Sequence, residues 1–123
     1  MPISSTPGTY NWTWYAGQTL DQTFTVTSGT AVVDLTGYTA AMKARTDYTA
    51  GSAAIALGTA EITLGGTAGT IRVQQTAAQT ATIGSAAGYA TVNYVYDLEL
   101  TSSGGEVTRL LQGVLTIAPE ATR

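Results

Sequence analysis

The sequence predicts an all-β fold, an antiparallel β-sandwich of about seven to nine short strands with one short helical crossover. Three observations predict it. Val92, Tyr94, Tyr96, Leu98 and Leu100 fall on one side of an extended chain, and Asn93, Asp97, Glu99 and Thr101 on the other, with Val95 the only apolar exception. That period of two marks a strand with one buried and one wet face. Glycine-rich turn signals recur roughly every eight to twelve residues, as they do in sandwiches. The charged fraction is only 11%, less than half the usual share, and threonine fills much of the gap. Threonine is β-branched and stiff, so it suits the wet face of a strand. A closed barrel of the same strands is the alternative architecture.

Residues 1 to 9 hold Pro2, Pro7, Gly8 and several Ser/Thr, and read as an N-terminal arm with no core of its own. Residues 10 to 123 then form the sandwich. Tyr10, Trp12 and Trp14 alternate with polar residues in a first strand, which either seals the core or meets another protein. Leu20, Gln22, Phe24 and Val26 share one side of a second strand, turned at Ser28-Gly29-Thr30. Asp34, two residues before Thr36, is placed to cap a turn, and Thr39 to Arg45 reads as a third strand. Thr46 to Ala54 is the loosest internal loop. Ile55-Ala56-Leu57 is a short strand, and Glu61 to Leu64 forms a hairpin with Thr70 to Val73. The glycines between them lack the following helix and lysine of a phosphate loop. Thr76 to Thr82 is the helical piece, and Gly84 to Gly88 a flexible loop. The long strand through Leu100 turns at Ser102 to Gly105 and returns with Val107, Leu111, Leu115 and Ile117 in phase until Pro119 ends it. The expected core is Trp12, Leu20, Phe24, Val26, Leu35, Met42, Ile55, Ile62, Ile71, Tyr94, Tyr96, Leu98, Leu100, Leu111 and Leu115.

The composition excludes several functions. The chain has 123 residues, no cysteine, no histidine and a formal net charge of −3. Without thiols or imidazoles, disulfides, thiolate metal sites and the commonest general base are gone. No metal and no cofactor is expected. The cations Lys43, Arg45, Arg72, Arg109 and Arg123 are scattered, so there is no basic stripe for nucleic acid. No apolar run approaches the roughly 20 residues of a membrane span, and the first residues lack the pattern of a signal peptide. Asp97 and Glu99 share a strand face and could act as an acid/base pair. Arg109 on the returning strand makes a surface ion pair the simpler account, and no catalytic residue is expected.

Several segments taken in order resemble a family of small phage virion domains. They are Ala16-Gly17-Gln18-Thr19-Leu20, Asp34-Leu35-Thr36-Gly37-Tyr38, Met42-Lys43-Ala44-Arg45, Ile62-Thr63-Leu64-Gly65-Gly66, Ala68-Gly69-Thr70-Ile71, Tyr96-Asp97-Leu98-Glu99-Leu100, Val107-Thr108-Arg109-Leu110-Leu111-Gln112-Gly113 and the closing Ala118-Pro119-Glu120. The family comprises the immunoglobulin-like modules that open upper-baseplate proteins and recur as stand-alone tail or head accessory proteins. The resemblance implies a non-enzymatic structural protein of the virion, assembled in the host cytoplasm and present as a homo-oligomer or symmetric array. Its partners would be capsid, tail or fibre subunits. Because no fibre-forming region follows before Arg123, the expectation is a separate subunit that decorates or cements the capsid, or attaches to tail, baseplate or fibres. Tyr10, Trp12, Trp14, Tyr15 and Tyr48 are the expected protein-interface residues, since Trp and Tyr dominate contact hot spots. The alternative is a carbohydrate-binding module aiding host-surface adhesion, with Trp12, Trp14, Tyr15 and Tyr48 as stacking platforms.

Overall fold

The computed structural model describes residues 7–123. It is an all-β sandwich whose core lies between a six-stranded and a three-stranded sheet. The strands are β1 (Gly8–Thr9), β2 (Trp12–Tyr15), β3 (Leu20–Thr25), β4 (Thr27–Ser28), β5 (Ala31–Val32), β6 (Thr39–Arg45), β7 (Ile55–Leu57), β8 (Ile62–Leu64), β9 (Thr70–Gln75), β10 (Val92–Thr101) and β11 (Val107–Ala118). One helix, α1 (Ala77–Ala86), bridges β9 and β10. Among the described residues, eight of these strands have three or more residues; β1, β4 and β5 are two-residue pieces.

The large sheet runs β7-β6-β10-β11, with β1 and β2 both paired to the far side of β11. Its backbone is the β10–β11 hairpin, in which Leu98 faces Leu111 and Tyr94 faces Leu115. Two of its pairings are not antiparallel: β1 and β2 run parallel to β11, with Gly8 opposite Leu111 and Trp12 opposite Leu115. Residues 8 and 9 of the arm thus sit in the chain's own sheet, and residues 1–6 lie outside the described residues. The small sheet is β3-β9-β8, and β4 and β5 form a separate ribbon.

Fourteen of the fifteen expected core residues are buried, while Leu20 is only partly so. Trp14, which was not among the expected residues, joins them at 2% exposed. Trp12 lies edge-on to Trp14, Phe24, Tyr10 and Tyr96, with ring centroids 5.4, 5.5, 5.7 and 6.4 Å apart. Such pairs contribute about 0.5–1.5 kcal/mol each beyond burial. Opposite Tyr96 in the ladder stands Gly113. A Cβ there would lie 2.5 Å from the Tyr10 carbonyl oxygen. The missing side chain lets that carbonyl approach and accept the Tyr96 hydroxyl.

Two sequence expectations need correction. Val107 is 60% exposed, although it was expected in phase with Leu111. The ladder shifts between Leu98 and Glu99, which face Leu111 and Arg109 respectively. Leu110 is therefore an extra residue, a bulge that reverses the phase of everything before it. Leu110 and Leu111 both end up buried. The second correction is Gly84 to Ala86, expected as loop and found as the last turn of α1. Thr76 caps the helix by accepting from Gln79 N–H, and the Gln79 side chain accepts in return from Thr76 N–H. That reciprocal cap starts the helix. Thr80 docks it: its buried hydroxyl donates to the Gln18 carbonyl at 2.9 Å and accepts from Gly17 N–H at 3.1 Å.

Candidate functional site

The five aromatic residues singled out from the sequence divide. Trp12 and Trp14 are core residues, so their side chains are not left for a partner or a sugar. Tyr10 is partly buried and packs edge-on to Phe24 at 5.3 Å. Tyr15 and Tyr48 are the exposed pair, at 57% and 65%. They mark two different surfaces.

The first surface is the outer edge of β2. In a parallel ladder a residue turns its N–H and C=O to the same side. Tyr10 N–H donates to the Gln112 carbonyl and Ala16 N–H to the Ala118 carbonyl. The backbone groups of Thr13 and Tyr15, in the opposite phase, therefore point away from β11. No other strand pairs with this side of β2 among the described residues. Trp12 to Tyr15 contains no charge and no proline. Beside the edge runs a groove of about 220 Å³, walled by β2, by Gln18 to Gln22 and by Thr80.

The second surface is the solvent face of β6 and β10. Ala40, Met42 and Ala44 point into the core, which sends Lys43 and Arg45 outward. The same alternation sends Val95, Asp97 and Glu99 outward from β10. The register then places Lys43 beside Asp97 and Arg45 beside Val95. Together with Tyr48 these residues line a recess of about 240 Å³. The loop carrying Tyr48 is not loose. Thr49 N–H and its hydroxyl both donate to Asp47, and Arg45 Nη1 donates to the Ala50 carbonyl at 3.1 Å. The Thr49 hydroxyl first, and then the backbone donors, hold the Asp47 carboxyl below the usual carboxylate range.

Within the recess the charges are unevenly satisfied. Arg109 Nε lies 3.4 Å from Asp97 Oδ2, the ion pair expected from the sequence. Glu99 faces Arg109 in the ladder, yet neither Glu99 nor Lys43 has an ion-pair partner among the described residues. The sequence placed Asp97 and Glu99 on one face but not the two cations beside them. The outward phase of Lys43 and Arg45 was readable, whereas the adjacency of β6 and β10 was not.

Asp34 is accounted for as a turn cap, its Oδ1 accepting from Thr36 N–H at 2.9 Å and from the Thr36 hydroxyl at 2.6 Å. Among the described residues no group of three or more acidic side chains is placed to hold a metal ion, and no helix is long and apolar enough to cross a membrane. No protein-family model matches this chain, and no curated protein matches it.

Proposed function

We propose that this protein is a non-enzymatic adhesion subunit of a phage virion, an immunoglobulin-like sandwich that binds neighbouring capsid, tail or fibre proteins along the outer edge of β2. The observation that carries the reading is that edge. Sheet proteins ordinarily blunt an open edge with lysine, proline, a bulge or a covering loop. The β2 edge has none of the first three, and it presents Tyr15 together with a groove. An extended partner segment can add to such an edge through main-chain hydrogen bonds, with the groove receiving alternate side chains. Each contact would be modest, and a symmetric array multiplies it by copy number. The low charge of the chain fits contact surfaces, whose centres are depleted of ions.

The experiment is incorporation into particles. Thr13→Pro removes an outward donor, and Tyr15→Asp places a charge on the edge. Both variants should melt within a few degrees of the parent protein and fail to co-sediment with purified particles. Co-sedimentation at the parent level by both variants would remove the edge from the proposal.

A further inference from the structure

We infer that the recess on the outer face of β6 and β10 is a saccharide-binding site that takes one neutral pyranose ring of a glycan. This inference does not rest on the β2 edge, which lies on the other side of β11 from β10.

The ligand class follows from the lining. Lys43 and Arg45 bring two positive charges, and Asp97 and Glu99 two negative ones. The four lining charges sum to zero, so the lining by itself selects neither an anion nor a cation, and Arg109 lies beside it against Asp97. The recess offers strong donors and strong acceptors side by side. A sugar hydroxyl is both donor and acceptor, so one ring can satisfy carboxylates and cations together. Glu99 and Lys43 are the groups with capacity to spare, because neither has an ion-pair partner among the described residues. Hydrogen bonds to charged groups are stronger than those between neutral ones. Asp97 already meets the Arg109 side chain through Oδ2 and retains its other carboxylate oxygen.

The aromatic wall is Tyr48. An exposed tyrosine on a flexible loop would mean little. Here the Asp47–Thr49 bonds and the Arg45–Ala50 bond brace the backbone on either side of Tyr48. The backbone that carries the ring is thus preorganised at the rim, which lowers the entropy lost on binding. Its apolar face suits the axial C–H groups of a pyranose. The recess of about 240 Å³ falls below the roughly 300 Å³ at which drug-sized pockets begin. That is room for a single ring, and a shallow site of this size implies a dissociation constant on the order of millimolar.

The test is an NMR titration of the whole chain with the methyl glycosides of glucose, galactose, mannose and N-acetylglucosamine. At least one should shift the amide signals of Lys43, Tyr48, Val95 and Glu99, and no shifts should appear along β2. Tyr48→Ala and Glu99→Gln should each weaken that binding about tenfold, the loss expected for one charge-assisted hydrogen bond or one stacking face. Both residues are outside the core, so the variants should keep the parent spectrum elsewhere. Thr13→Pro should bind the glycoside as the parent does, which separates this site from the β2 edge. Absence of shifts with all four glycosides at saturating concentration would overturn the inference. Shifts that survive unchanged in Tyr48→Ala would do so too. Binding of a zwitterionic dipeptide at these residues, with no glycoside bound, would assign the recess to a peptide terminus and equally overturn it.

Discussion

Tyr96 illustrates how one buried polar atom couples two parts of the chain. It is 1% exposed, and its hydroxyl donates to the backbone carbonyl of Tyr10. Burial, and then the neighbouring Tyr10, push its pKa well above the ordinary tyrosine value. A folded-state pKa above the unfolded one stabilises fully below the unfolded value, about 10, and that stability is lost as pH rises beyond it. Tyr96→Phe should cost about 1–3 kcal/mol at neutral pH by orphaning the Tyr10 carbonyl. It should also flatten the alkaline decline of the melting temperature above about pH 10. An alkaline limb unchanged in Tyr96→Phe would contradict this account.

The aspartates act in the opposite direction. The Arg72 guanidinium hydrogen bond holds the Asp21 carboxyl below its usual range, and the Thr36 hydroxyl does the same for Asp34. Depressed folded-state values mean that the unfolded chain binds more protons just below about pH 4. The corresponding stability is present above that pH and is lost as pH falls through the folded values. Thermal melts should therefore be flat from neutral pH to about 5 and decline below about 4, with a shallower decline in Asp21→Asn. At this scale the sequence was legible for Asp34 and for the Asp97–Arg109 pair, because both partners lie within one turn or one hairpin. Tyr96–Tyr10 was not legible. Its partner is 86 residues away and is a backbone atom, which no side-chain pattern announces.

Elements were legible where their period is uninterrupted. Thr39–Arg45 and Ile55–Leu57 coincide with β6 and β7, and the expected strand Glu61–Leu64 starts one residue before β8. Leu98, in the middle of β10, is fully buried, and Leu98→Ala should cost about 2–5 kcal/mol in a denaturant titration. A loss under about 1 kcal/mol would mean that the cavity collapses without penalty. The failures arise where the period breaks. The Leu110 bulge inserts one residue, so a strict alternation carried back from Ile117 sends Val107 inward when it is exposed. The helix ran past its expected end because Gly84 and Ser85 are poor helix formers that tertiary packing retains. Thr80 anchors that packing. Thr80→Val keeps the shape but leaves Gly17 N–H and the Gln18 carbonyl without their partner, and should cost about 1–3 kcal/mol. Loss of α1 signal before the sheet melts would locate the damage there.

For the whole molecule, strand order was the least legible feature, and it decides which surfaces exist. Period and turns identify strands but do not say that β6 lies against β10, so the recess with Tyr48, Lys43 and Glu99 was invisible. Nor do they say that the first strands return to pair with β11. That pairing places Gly8 and Thr9 within the sheet. A truncation meant to test the arm should therefore stop at residue 6, and its melting temperature is the reference for any longer one. Removal through residue 9 deletes β1 as well and should lower it by several degrees.

The parallel docking of β2 on β11 also governs how the molecule can be made. Trp12 and Trp14 emerge from the ribosome early, yet the strand that covers them is complete only when Ala118 has followed, more than a hundred residues later. Throughout that interval the nascent chain carries two indoles with no sheet to receive them. Loop closure over so long a separation is slow, and exposed apolar strands are the usual seeds of aggregation. Production of this protein should therefore depend on chaperones during synthesis far more than the stability of the finished domain suggests.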